Sequence, residues 1–133
     1  LLCFFSYYLF GMNAFDSLIH CMTTISTGGF SNKSLSFGYF NSYTLENIST
    51  IFMILGSLPF VIFIKFIHGQ RKSIYKDDQI KLFLFLLISI IFITLIWLKN
   101  YLNIEWIQAL RLATFNITSI LTGTGYTSAN YNN

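Results

Sequence analysis

Charge is what this sequence has least of: of its 133 residues 10% are charged, against roughly 25% in an average soluble domain. The acids are Asp16, Glu46, Asp77, Asp78 and Glu105, scattered near the ends of apolar segments with no pair at a metal-binding spacing. That scatter argues against carboxylate chemistry or a divalent-cation site at membrane depth. Cysteine is nearly missing too. Cys3 and Cys21 lack the CxxC spacing and the His partners of a zinc site and read as packing residues. Pro59 is the single proline. Of the basic residues, Lys65, Arg71, Lys72, Lys76 and Lys81 crowd into one stretch, so the net charge of +3 describes a loop and not a nucleic-acid surface. The chain opens on Leu1 without Met or a basic leader, which does not support a signal peptide and fits a piece of something longer.

What is abundant is apolar bulk. Hydrophobic residues make up 54%, with 15 Phe and 8 Tyr, and the class this sets is an all-α membrane protein. Leu1 to Phe10 suits the last turns of a spanning helix. Gly11-Met12-Asn13 breaks it, and Asn13 followed by Asp16 predicts an N-capped helix over Ala14 to Ile25. At 1.5 Å per residue that helix is about 18 Å long, short of the ~30 Å hydrocarbon core, so it enters the membrane without crossing. Ser26 to Ser31 is then irregular backbone at membrane depth, tolerated only against protein or a wet cavity. Asn32 to Thr44 returns through the interface, with Tyr39, Phe40 and Tyr43 expected at headgroup level. Asn47 to Ile64 is uncharged and predicts one crossing, kinked around Gly56-Ser57-Leu58-Pro59. The loop from His68 to Asp78 falls in the cytoplasm by its Lys and Arg content. Leu82 to Leu98, framed by Lys81 and Lys99, predicts a second crossing. After a turn at Asn100 to Asn103, Asn103, Glu105 and Trp106 start a helix reaching about Leu121. Arg111 lies within it, either at an aqueous mouth or paired with a group outside this segment.

The organising stretch is Thr23-Thr24-Ile25-Ser26-Thr27-Gly28-Gly29-Phe30-Ser31, and it has a counterpart in Ser119-Ile120-Leu121-Thr122-Gly123-Thr124-Gly125-Tyr126-Thr127. Placing Gly29 on Gly125 gives an offset of 96 residues. The order is crossing, half-helix, loop and crossing, followed by crossing, half-helix and loop. Each loop follows the C-terminal end of a half-helix, the negative pole of its dipole, where a cation is stabilised. Carbonyls with Ser and Thr hydroxyls are uncharged hard ligands suited to a monovalent ion that must also leave. Glycine permits the backbone angles that aim successive carbonyls at one axis. Phe30 and Tyr126 are placed to wedge each loop from behind. Such a duplicated, interrupted membrane segment points to a pore or transporter built from repeats.

Residues 11 to 42, with Phe15-Asp16, His20, Thr27-Gly28-Gly29-Phe30-Ser31 and Gly38-Tyr39-Phe40, resemble the second repeat of the TrkH family of bacterial potassium uptake proteins. Phe115-Asn116, Ser119-Ile120 and Thr122-Gly123-Thr124-Gly125-Tyr126 resemble its third. The resemblance implies helix, pore-loop, helix repeats of the potassium-channel-like (TrkH/KtrB) type. Residues 1–68 would form the end of an outer helix, a pore half-helix, filter loop and inner helix, 69–79 a cytoplasmic basic loop, and 80–133 the next outer helix, half-helix and loop. Thr27, Gly28, Gly29 and Phe30, with Gly123, Thr124, Gly125 and Tyr126, would be potassium-binding filter positions. It also implies K+ as cargo with no cofactor, a multi-pass protein of the bacterial inner membrane, a homodimer, and a cytosolic nucleotide-binding regulatory subunit, TrkA. One and a half of four repeats are present, so two filter walls and a gating loop after the third filter segment are not. Two other functions stay open from the residues alone: a non-transporting membrane subunit or remnant, and an integral membrane enzyme with His20 as acid or base, although packing suits that histidine better.

Overall fold

The structure, a computed structural model, describes residues 1–69 and 77–128. Among the described residues six α-helices run in the order α1 (Leu2–Leu9), α2 (Ala14–Ile25), α3 (Tyr43–Ser57), α4 (Phe60–Ile67), α5 (Asp78–Leu102) and α6 (Trp106–Leu121), with a 3-10 turn at Ser36–Phe40. The basic residues Arg71, Lys72 and Lys76 of the expected cytoplasmic loop lie outside the described residues.

Side-chain caps fix the starts. Asn13 accepts from the Asp16 N–H and opens α2, Ser42 accepts from the Leu45 N–H and opens α3, and Asp77 accepts from the Gln79 N–H and opens α5. The α2 limits agree with the expectation from Asn13 and the glycine pair. The long helix α5 ends on Asn103 in the left-handed conformation, so Asn103 closes one helix and Glu105 starts the next. Lys99 donates to the Ile104 carbonyl across that turn.

Of the described helices, α5 alone is long and apolar enough to cross a membrane by itself. Within it only Leu87 is buried. The expected crossing over Asn47 to Ile64 is not one rod. α3 and α4 are bent by 91° at Leu58-Pro59, far beyond a kink. Leu58 is forced extended ahead of proline and Pro59 is itself extended, so two successive residues leave the helical region. Gly56 has a separate reason to be small: a Cβ there would come within 2.8 Å of the Ile25 carbonyl oxygen, where α3 crosses the end of α2.

α2 packs on α1 and α3, and α6 packs on α3 and α5, so α3 is the wall shared by the two units. The core is aromatic. Phe37, fully buried, has ring centroids of Tyr126, Phe115, Phe40, His20 and Tyr7 at 5.2, 5.3, 5.7, 5.8 and 5.9 Å. Phe40 therefore turns inward, against the expectation that it would sit at headgroup level, while Tyr39 and Tyr43 stay exposed. Cys3 is buried and Cys21 packs beside it on the same cluster, both as free thiols.

Candidate functional site

The two hydroxyl and glycine loops leave the C-terminal ends of α2 and α6 along the same path. Ser26 and Thr122 donate their N–H groups to Met22 and Thr118 at 3.0 and 2.9 Å. Thr27 and Gly123 donate to Thr24 and Ile120, both at 3.1 Å, and Gly29 and Gly125 donate to Thr23 and Ser119 at 3.3 and 3.1 Å. Each pair differs by 96 positions, the offset read from the sequence. Backbone angles follow suit: φ is positive at Thr27 and Gly123 (50° and 75°) and again at Gly29 and Gly125 (62° and 81°). Thr27 holds there a conformation that a side chain disfavours.

These bonds decide what the loops can bind. The N–H groups of Ser26, Thr27, Gly28 and Gly29, and of Thr122, Gly123 and Gly125, turn back to satisfy the last carbonyls of the helix, as at any well-capped C-terminus. Among the described residues no hydrogen bond is accepted by the carbonyls of Thr27, Gly28, Gly29, Gly123, Thr124 or Gly125. A loop with most donors turned back and its acceptors free at the negative end of a dipole suits a cation. A phosphate loop has the opposite polarity, with free N–H groups at a helix N-terminus.

The loops also meet. A Cβ on Gly29 would overlap the Thr124 carbonyl oxygen and lie 2.7 Å from its carbon, so two backbones are in contact with no side chain between them. Gly28, Gly123 and Gly125 are exposed and Thr124 is buried.

The two aromatic positions differ. Tyr126 is buried: its hydroxyl pairs with Thr23 Oγ1 at 2.5 Å, lies 3.3 Å from Thr24 Oγ1 and donates to the His20 carbonyl at 3.3 Å. Thr23 Oγ1 also lies 3.0 Å from the carbonyl oxygens of both Phe30 and Ile19, and Tyr7 shares Thr24 Oγ1 at 2.9 Å. The second loop is thus wedged against the first half-helix. Phe30, expected to wedge likewise, is 76% exposed among the described residues, and its carbonyl lies 3.0 Å from Thr23 Oγ1.

Sequence reasoning missed the clamps that hold each loop's return. Asp16, 3% exposed, takes Asn32 Nδ2 at 2.6 Å, Lys33 Nζ at 3.0 Å and Asn13 Nδ2 at 3.0 Å. His20 is fully buried, with Nδ1 2.8 Å from the Asp16 carbonyl and Nε2 3.0 Å from Ser31 Oγ. At the equivalent place in the second unit Asn116 bonds Ser128 through both ends of its amide, at 2.9 and 3.2 Å. The offset pairs His20 with Asn116, two polar residues on apolar half-helices, and that was the available signal. Arg111 is a correction: its partner is not outside this segment but is Glu46, at 2.7 Å through both Nε and Nη2.

The sequence model of the TrkH family, described as cation transport protein, matches residues 1–133. The chain belongs to the TrkH family. Among curated relatives, the Trk system potassium uptake protein TrkI of Halomonas elongata is 39% identical over 132 residues, covering 98% of this chain and 27% of the relative. The Trk system potassium uptake protein TrkH of Vibrio parahaemolyticus is 31% identical over 133 residues. The crystal structure of the potassium transporter TrkH from Vibrio parahaemolyticus superposes with a TM-score of 0.91 at 30% identity, covering 96% of this chain and 28% of that one. This chain therefore spans about a quarter of the length of the TrkH-family proteins it matches, and the all-α TrkH architecture expected from the sequence is the one it has.

Proposed function

We propose that this segment works in potassium uptake as part of a Trk-type system, with backbone carbonyls of Thr27, Gly28 and Gly29 and of Gly123, Thr124 and Gly125 forming two walls of a selectivity filter. The observation that carries the proposal is the backbone contact of Gly29 with Thr124 in two loops whose carbonyls accept no hydrogen bond among the described residues. Membership of the TrkH family and its potassium uptake relatives supply the ion. Phe30 and Tyr126 complete the loops as supports: the Phe30 carbonyl is shared with Thr23, and Tyr126 acts through its buried ring and hydroxyl. Residues 1–68 serve as one unit, 69–79 as the cytoplasmic connection and 80–133 as the outer helix, half-helix and loop of the next. The bacterial inner membrane, a homodimer and a TrkA-like nucleotide-binding subunit belong to the proposal through the family resemblance. Enzymatic turnover is disfavoured because Asp16 and Glu46, the acids on the half-helix and the shared wall, are both ion-paired.

The test is rubidium or potassium uptake in a host lacking potassium transport, with this chain expressed alone and in place of the matching segment of the Halomonas elongata relative. Uptake by the chimera that disappears with Gly29→Val supports the proposal. Undiminished selective uptake by the Gly29→Val chimera contradicts it.

A further inference from the structure

Arg111 and Glu46 are 65 positions apart and belong to different units. Arg111 lies on α6, the half-helix that delivers the second loop; Glu46 lies in the first turn of α3, the wall of the first. One guanidinium grips one carboxylate with two bonds, Nε to Oε2 and Nη2 to Oε1, each 2.7 Å. Nη2 also reaches Asn41 Oδ1 at 3.4 Å, and the guanidinium stands 5.7 Å from the centre of the Tyr43 ring. The Glu46 side chain is 2% exposed and that of Arg111 24%. Thr50 Oγ1 donates to the Glu46 carbonyl, tying the acid's own turn of helix.

A bidentate fork fixes orientation as well as distance, so the pair sets the rotation of α6 about its axis, not only its separation from α3. From Arg111 the helix runs uninterrupted to Leu121, a stiff rod of about 15 Å at 1.5 Å per residue. At the far end Tyr126 is pinned by Thr23, Thr24 and His20. Between those two anchors lies Thr124, whose carbonyl abuts Gly29 without a side chain to absorb error. The pair has no counterpart at the equivalent position: 96 residues earlier stands Phe15, 65% exposed.

We propose that Arg111 and Glu46 are a positioning pair that sets the placement of the second loop against the first, and through it the discrimination between potassium and sodium. This rests on the proposed function of the loops. Neither side chain belongs to either loop. A buried ion pair is often no more stabilising than apolar residues of similar size, so its contribution is to geometry.

The test compares the ratio of rubidium to sodium uptake in the assembled, uptake-competent complex for wild type, Arg111→Lys and the double variant Glu46→Leu with Arg111→Met. Arg111→Lys keeps the charge and loses the fork; the double variant leaves no charge unpaired. Both are expected to reach the membrane in wild-type amounts and to lower the ratio about tenfold, less than the ~10²-fold that an ångström-scale misplacement costs in an oriented reaction. A wild-type ratio in Arg111→Lys, or in a double variant present in the membrane, overturns the inference whatever the total flux. Absence of selective uptake in wild type instead strikes the functional proposal, and the two failures are told apart by that control.

Discussion

The two loops share a backbone and differ in what surrounds them. Gly29 is closed in by Thr124, whereas a Cβ on Gly125 would meet nothing within 4 Å. Tyr126 is 1% exposed and Phe30 76%. Arg111 is gripped by Glu46, and Phe15 at the equivalent place is bare. Tyr126 and Arg111 of the second unit are held by the first, whereas Phe30 and Phe15 at the equivalent places are exposed; at the glycines the order is reversed, with Gly29 closed in and Gly125 open. What this teaches is directional: the second loop is supported by the half-helix and shared wall of the first unit.

Glycine replacement breaks the comparison hardest. Gly29→Val is expected to abolish uptake and to destabilise the loop contact, because the new Cβ both overlaps Thr124 and requires a positive φ. Gly125→Val meets only the backbone penalty of about 1–3 kcal/mol within this segment. Denaturant unfolding of the segment in detergent should therefore rank Gly29→Val well below Gly125→Val; equal losses would dissolve the distinction. Next comes the clamp. Asp16→Ala removes the acceptor shared by Asn13, Asn32 and Lys33 and should cost about 1.5–3 kcal/mol by the same unfolding measurement. Tyr126→Phe should lose about 1–2 kcal/mol with the hydroxyl that serves Thr23 and His20, while Phe30→Leu on the open seam should be near neutral. A large effect of Phe30→Leu on the segment alone would show that its ring is not free. Smallest is Asn116→Ala, expected to cost about 1 kcal/mol through the two bonds to Ser128, seen as faster hydrogen exchange after Gly125.

Much of this was legible in the residues. α2 could be bounded because its signals are local: Asn13 caps it, and it ends at Ile25, three residues ahead of Gly28. The loop duplication was legible because the same backbone path demands glycine or a small polar residue at the same steps. The sharpness of the α3–α4 break was not. Pro59 announces a bend, but its size depends on Leu58 and Pro59 both being extended and on Gly56 lying against Ile25. Nor was the Glu46–Arg111 pair, since opposite charges 65 residues apart carry no periodicity to read. Phe30 and Tyr126 looked alike in sequence; their different fates depend on which neighbouring half-helix is present.

The central claim is that two loops 96 positions apart line one cation path. Rubidium located by anomalous scattering in a crystal of the assembled transporter tests it most directly. The account predicts the ion held by main-chain oxygens from both the Thr27–Gly29 and the Gly123–Gly125 stretches. Rubidium bound elsewhere, with those carbonyls turned to lipid or to separate cavities, would contradict it.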